Sequence, residues 1–216
     1  MPPLHHTYRR KLLEASFCRS APWGLVARRM VPWATQGFPV TGDVLEIGGG
    51  SGAMAEAIAR AHPRVRLTMT DADPVMVEAA QDRLAGHPLV QARQADATRL
   101  PFEDESFDTI LSFLMLHHVI EWEHAVTEAA RVLRPGGAFV GYDLLASPMA
   151  SLVHRADRSP HRLIEPEAFG PVLDQAGLAL LALRLSFGGR VIRFIAHKPG
   201  NAQNAPGSDI TSRSSR

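Results

Sequence analysis

The sequence predicts an α/β protein: a doubly wound, mostly parallel sheet closed by a C-terminal antiparallel hairpin. Three observations predict it. From Gly42 onward, short apolar runs alternate with helical stretches, the pattern of repeated βα units around a parallel sheet. The first run, Val44-Leu45-Glu46-Ile47, enters a glycine turn that hands the chain to a helix. Near the end, runs 178–187 and 191–197 flank Gly188-Gly189, which reads as a β-hairpin.

Each element has its own signal. Residues 54–61 are helical, and 65–70 form a strand ending at Asp71. Pro74 opens a helix through about residue 84, as proline suits a first helical turn. Residues 89–94 are a third strand. Residues 107–114 are a fourth, apolar on both faces as a central parallel strand should be. A helix follows over 121–133. Arg134-Pro135-Gly136-Gly137 reads as a turn before strand five at 138–144, and 167–176 is the last helix before the hairpin.

Upstream, residues 7–36 read as one or two helices. Leu12, Leu13, Ser16 and Phe17 recur at helical spacing, and Pro22 begins a stretch carrying Trp23, Leu25, Val26, Met30 and Trp33. The expected organisation is a helical lid over 1–36, a main domain over 37–198 and a disordered Asn-, Ser- and Gly-rich tail over 199–216.

The chain has 216 residues, 45% hydrophobic and 21% charged, which excludes wholly disordered, collagenous and coiled-coil classes. Its net charge of +1 hides an asymmetry: +5 over 1–36, −8 over 37–143 and +4 over 144–216. The lone cysteine, Cys18, excludes an intramolecular disulfide and a cysteine-based zinc cluster. Arg9, Arg10 and Lys11 have no apolar stretch behind them, so no signal peptide is read, and the expected location is cytoplasmic.

The turn Gly48-Gly49-Gly50-Ser51-Gly52 lets the backbone approach a ligand closely, and the helix after it offers unpaired N–H groups. With Ala53 the run satisfies the dinucleotide fingerprint, and Asp71 lies where a ribose-binding acid would sit. A ligand-free βα turn is the bland alternative.

Four ordered motifs carry a resemblance over residues 43–197. They are Val44-Leu45-Glu46-Ile47-Gly48-Gly49-Gly50-Ser51-Gly52; Thr70-Asp71-Ala72-Asp73-Pro74; Gln94-Ala95-Asp96-Ala97 with Leu100-Pro101-Phe102 and Ser106-Phe107-Asp108; and Arg131-Val132-Leu133-Arg134-Pro135-Gly136-Gly137. Together they resemble the class I S-adenosylmethionine-dependent methyltransferases. The resemblance implies a seven-stranded Rossmann-like sheet with a reversed last strand, S-adenosyl-L-methionine as cofactor and S-adenosyl-L-homocysteine as product.

It also implies residue roles. Gly48, Gly49, Gly50 and Gly52 would lie under the methionine part, with Glu46 helping to hold its polar end. Asp71 would accept from both ribose hydroxyls, as an ionised carboxylate can. Ala72 and Asp73 would border the adenine, and Asp96 would accept from its amino group beside the Ala97 N–H. Ser112 and Phe113, with Leu114, would contact the methionine end.

The sulfonium makes the methyl electrophilic, so the enzyme chiefly holds the acceptor in line, and a base is needed only for a protonated acceptor. His117, His118 and His154 are the candidate bases, with His161 in the same long connection as His154; Tyr142 and Asp143 are read as shaping the pocket. No Asn/Asp-Pro-Pro-Tyr/Phe run follows strand four, no cysteine sits beside a proline, and no metal-ligand spacing stands out, so no metal is expected. The expected acceptor is a small, apolar or aromatic molecule, methylated at oxygen, with no nucleic-acid partner. Phe17, Trp23, Met30 and Trp33 would wall its pocket. Two alternatives stand: a lipid or isoprenoid-quinone methyltransferase touching the membrane surface through residues 1–36, and a regulatory protein that binds the cofactor without turnover. A nicotinamide oxidoreductase is a third option, opposed by the Asp96 motif and the terminal hairpin.

Overall fold

The computed structural model describes residues 21–147 and 161–200. In chain order these form α1 (Ala21–Ala34), β1 (Asp43–Ile47), α2 (Ala53–Ala61), β2 (Arg66–Asp71), α3 (Pro74–Leu84), β3 (Val90–Gln94), β4 (Phe107–Phe113), α4 (Trp122–Val132), β5 (Leu133–Leu144), α5 (Pro166–Gln175), β6 (Ala179–Ser186) and β7 (Val191–His197). The seven strands make one sheet in the order β3-β2-β1-β4-β5-β7-β6. Strands β1 to β5 pair in parallel, and β7 runs antiparallel between β5 and β6. The expected fold class is therefore the observed one. Strand order reverses between β1 and β4, and such a switch point opens a crevice at the C-terminal ends of the strands.

Two buried layers sandwich the sheet. Period-two alternation sends Val44, Met69, Leu111, Val140 and Tyr142 to one face, against Ala27, Val31 and Ala34 of α1, Ile58 of α2 and Val77 of α3. Leu45, Ile47, Ile110, Phe139 and Phe194 face the other way, against Trp122 and Val126 of α4 and Phe169 and Leu173 of α5. The buried positions of α4 recur mainly three and four residues apart, so it buries one stripe, whereas α2 is buried on most sides, with only Glu56, Arg60 and Ala61 reaching solvent.

One element departs from expectation. The 134–137 segment has the chemistry of a turn, yet β5 already begins at Leu133 and α4 stops at Val132. Neighbours on both sides recruit it. Leu133 pairs with Phe107, Gly136 N donates to Lys198 O at 2.7 Å, and Lys198 N donates to Gly137 O at 3.0 Å. Lys198 Nζ also donates to the carbonyls of Ala130 and Leu133, closing the end of α4. Turn chemistry in the sequence yields here to hydrogen-bond partners that only the folded sheet supplies.

The first part of the expected lid, residues 1–20 with Phe17, lies outside the described residues, as do 148–160 and 201–216. Within α1, Met30 and Trp33 pack partly buried against the core.

Candidate active site

Strand β1 delivers its glycine turn to the switch point, and three hydrogen bonds hold the turn in place. Gly49 N donates to Thr70 O at 2.9 Å, Gly50 N to Asp71 Oδ2 at 2.9 Å, and Gly52 N to Gly49 O at 3.0 Å. Gly48, Gly50 and Gly52 all have positive φ, a conformation that costs a residue with a Cβ about 1 kcal/mol or more. Their surroundings differ. A Cβ on Gly48 would fall 1.8 Å from Met115 Cγ, and one on Gly52 3.1 Å from Ala80 Cβ, so these two serve packing as much as ligand approach. Gly50 has nothing within 4 Å and faces open space. Gly52 is the N-cap of α2 and, having no side chain, caps none of its N–H groups.

A cavity of about 140 Å³ opens above the turn, lined by Glu46, Gly48, Gly49, Gly50, Ser51, Ala53, Met54, Phe113, Leu114 and Tyr142. The register explains the grouping: Glu46 pairs with Leu111 and Phe113 with Tyr142, so alternation sends Glu46, Phe113 and Tyr142 to the same face. Glu46 is 1% exposed, and neither its Oε2 nor the buried Ser112 Oγ has a hydrogen-bond partner. Glu46 faces the cavity, and a buried carboxyl oxygen left this way costs free energy and fits a site that receives a polar ligand; Ser112, which pairs with Ile47, points to the opposite face of the sheet. Burial, and then the nearby Asp71 carboxylate, push the Glu46 carboxyl up to about 8. Burial also raises Tyr142, with Glu46 and Asp143 adding to it, so its phenol stays neutral. Leu114, at the mouth of β4, holds φ 54, a strained backbone at the cavity wall.

Asp71 ends β2 beside the turn. Its Oδ2 accepts from Gly50 N and its Oδ1 from Asp73 N at 2.9 Å. Burial raises its pKa, and the backbone donors of Asp73 and Gly50 oppose that. Asp73 caps α3 by accepting from Val75 N at 2.9 Å. Ala72 is exposed beside it. Asp96 is exposed, and its Oδ1 accepts from both Thr98 N and Thr98 Oγ1. Ala97 follows it, partly buried. Thus Glu46, the glycine turn, Asp71 and Phe113 converge at one crevice, while the side chain of Asp96 turns into its own loop.

The histidines separate. His117 is 2% exposed, with Nδ1 2.5 Å from Oδ1 of the fully buried Asp143. Asp143 Oδ2 accepts from Met115 N at 3.1 Å and Leu116 N at 2.8 Å, and its Oδ1 from Leu144 N at 2.7 Å. Asp143 follows Tyr142 on β5, so it points to the opposite face of the sheet from the cavity. His118 is exposed, its ring 4.1 Å from that of His117. His161 is partly buried, and His154 lies outside the described residues. Because Asp143 gathers the donors of the loop after β4, Asp143→Ala should lower unfolding free energy by about 2–3 kcal/mol, given the cost of orphaned buried donors. Urea melts check this; an unchanged midpoint would mean that the loop donors find other partners.

Sequence reasoning did not place Met54, Ser51 or Ala53 at the cavity. It also missed the packing around Trp33. That ring meets Tyr142 edge-on at 5.1 Å and Phe187 at 5.8 Å, under the Arg193 guanidinium at 4.6 Å. Arg193 also donates to Trp33 O at 3.0 Å. A tryptophan in an N-terminal helix carries no signal of such distant partners. Among the described residues no cluster could hold a metal ion, and no helix is long and apolar enough to cross a membrane.

Comparison with known proteins agrees with this geometry. A family described as "Methyltransferase domain" matches residues 45–141. A demethylmenaquinone methyltransferase of Clavibacter sepedonicus is 31% identical over 194 residues, covering 78% of either chain. A ubiquinone/menaquinone biosynthesis C-methyltransferase of Desulfotalea psychrophila is 34% identical over 110 residues, 51% of this chain but only 44% of that one. Among solved structures, geranyl diphosphate C-methyltransferase from Streptomyces coelicolor, in complex with S-adenosyl-L-homocysteine, superposes with TM-score 0.69 at 12% identity, over 79% of this chain and 80% of that one. YcgJ of Bacillus subtilis superposes with TM-score 0.65 at 22% identity, over 81% and 99%. Fold, glycine crevice and sequence identity converge: the chain belongs to the class I S-adenosylmethionine-dependent methyltransferases and is an enzyme of that reaction class.

Proposed function

We propose that the enzyme methylates an aromatic, quinol-type small molecule at a ring carbon. The observation that carries this is the cavity wall. Phe113, Tyr142 and Met54 line it beside Glu46 and the glycine turn, and Trp33 backs Tyr142, which makes an apolar, aromatic slot next to a polar pole. The two curated relatives named above methylate quinone precursors by name, although they match very different shares of this chain. Oxygen is the atom expected from the sequence; carbon is the one in the name of the Desulfotalea enzyme, and a hydroxyl-bearing ring offers both.

Bound S-adenosylmethionine supplies an electrophilic sulfonium methyl. In this reading Glu46 receives the polar methionine end, where its Oε2 stands without a partner, and Ser112 and Phe113 border it by their backbone. Gly48, Gly49 and Gly50 let the backbone close on that ligand, with Gly52 starting α2. Asp71 receives the ribose, the loop at Ala72 and Asp73 borders the adenine, and Asp96 and Ala97 lie at its far edge. Phe113 and Tyr142 exclude water and hold the acceptor ring in the plane that attack requires. His118, the exposed member of the histidine pair, takes the acceptor's hydroxyl proton, while His117 and Asp143 hold the loop that presents it. His154 is the second candidate for that proton. The expected lid would cover the acceptor side, and of it α1 (Ala21–Ala34) is described.

The test is transfer of labelled methyl to reduced short-chain demethylnaphthoquinols, simple phenols and amines, with mass-spectrometric location of the new methyl. Ring methylation of the quinol is expected; methylation of oxygen alone, or of amines alone, would overturn the acceptor class. His118→Gln is expected to slow turnover and abolish the acidic limb of the rate profile without changing S-adenosylhomocysteine affinity, checked by steady-state kinetics and calorimetry. An unaltered pH profile would take the proton-transfer role away from His118.

A further inference from the structure

We propose that the β6–β7 hairpin is the surface by which this enzyme docks on an anionic lipid bilayer, with the mouth of the active site held at the headgroups. Strand β6 is the outer strand of the sheet, so among the described residues one of its backbone edges faces no other strand. Its side chains are apolar and exposed: Leu181 by 59%, Leu185 by 57%, and Phe187 at the turn by 66%, with Leu180 and Leu183 near 40%. Single exposed leucines are ordinary, but five exposed apolar side chains on one edge strand and its turn, with Leu183 and Leu185 on the same face, are a concentration of the kind that marks an interaction site. A bare edge of this composition is also a liability in water unless something covers it.

Charge selects the occupant. Between Gln175 and Gly200 the chain carries Arg184, Arg190, Arg193 and Lys198 and not one Asp or Glu. Arg184 is exposed within the strand and Arg190 at its turn, where Nη1 donates to Phe187 O at 3.2 Å. Leucine and phenylalanine that enter the acyl boundary, flanked by guanidinium groups at the phosphates, are the composition of an interfacial element. Edge pairing with a second copy fits less well, because it would bring two cationic strands together with no acid on either to neutralise them.

Position ties the hairpin to the site. Ser186 pairs with Val191, and Val191 with Leu144, so the hairpin's turn projects at the C-terminal end of β5, the edge where the glycine turn lies. An aromatic line connects them: Phe187 is 5.8 Å from Trp33, Trp33 is 5.1 Å from Tyr142, and Tyr142 lines the cavity. With the turn seated in the headgroups, an acceptor held in the bilayer by an apolar tail meets the cavity without crossing bulk water. This last step rests on the quinol reading; the docking itself does not.

Vesicle flotation of the full chain tests the proposal, with vesicles of phosphatidylcholine alone or mixed with phosphatidylglycerol. Binding is expected to the mixed vesicles. It should fall about tenfold or more in Arg184→Glu/Arg190→Glu and in Leu183→Ser/Leu185→Ser, at roughly a few-fold for each charge or apolar side chain withdrawn from the bilayer. Both variants should keep S-adenosylhomocysteine affinity and turnover of a water-soluble short-chain acceptor, which shows that they are folded. Activity on a long-chain acceptor embedded in vesicles should fall in step with binding. Vesicle binding unchanged in both variants would overturn the proposal. So would a dimer in sedimentation velocity that Leu183→Ser/Leu185→Ser dissociates, since the face would then belong to a second copy. If hairpin-dependent binding is seen and no quinol is methylated, docking stands and the acceptor reading alone fails.

Discussion

Asp71→Ala is expected to weaken S-adenosylhomocysteine binding by a few hundredfold, about 3–4 kcal/mol. Two losses add. The carboxylate that would receive the ribose hydroxyls disappears, and charge-assisted hydrogen bonds of that kind contribute about 1.5–3 kcal/mol. The N–H groups of Gly50 and Asp73, which donate to Oδ2 and Oδ1 at 2.9 Å, also lose their acceptor, so the glycine turn is no longer pinned to the end of β2. Asp71→Asn separates the two effects. Its amide oxygen can replace only one of the two acceptor oxygens, and it carries no charge, so it should fall between the wild type and Asp71→Ala. Calorimetric titration of all three proteins checks this. Equal affinity for wild type and Asp71→Ala would remove Asp71 from the cofactor site, and equal affinity for Asp71→Asn and Asp71→Ala would show that the turn gains nothing from a remaining acceptor.

Glu46→Gln should change how stability depends on pH. In the unfolded chain a glutamate loses its proton near 4.5, whereas buried Glu46 keeps it up to about 8. Between those values the folded state holds the extra proton, so the stability of the ligand-free wild type falls as pH rises and levels off above about 8. The slope from one such proton is at most about 1.4 kcal/mol per pH unit. A glutamine amide cannot ionise, so Glu46→Gln should gain on the wild type progressively between about pH 5 and 8 in urea melts. Parallel stability curves would contradict the burial and Asp71 repulsion that raise this carboxyl. Ligand binding offers a second readout. A cationic amino group placed against Glu46 favours the ionised carboxylate, so binding at about pH 7 should release up to one proton in the wild type and none in the variant. Calorimetry in buffers of different ionisation enthalpy measures it.

Local chemistry made most of the cofactor side legible. The glycine turn, Asp71 and the proline-initiated helix after it are contiguous motifs whose geometry follows from positive φ, helix capping and strand ends within a few residues. The sheet followed from the succession of apolar runs, because a strand buried on both faces carries apolar residues on both, as Ile110 and Leu111 of β4 do. The 134–137 segment shows the limit of such reasoning: its Pro-Gly-Gly chemistry signals a turn, and the strand partners that recruit it, Phe107 and Lys198, are distant in sequence.

The sequence by itself determined the fold class and the glycine turn at the switch point, with Glu46 and Asp71 beside it. It named His117 and His118 together, since adjacency in the chain is all that a sequence shows. Only the tertiary structure decided that His117 turns inward to Asp143 while His118 stays exposed. Only the tertiary structure aligned Phe187, Trp33 and Tyr142, and left the leucines of β6 uncovered at the edge of the sheet. The physical reason is the range of the interactions. Turns, caps and period-two patterns act between near neighbours, whereas the burial of a His–Asp hydrogen bond or the exposure of an edge strand depends on which distant segments the sheet order brings against it.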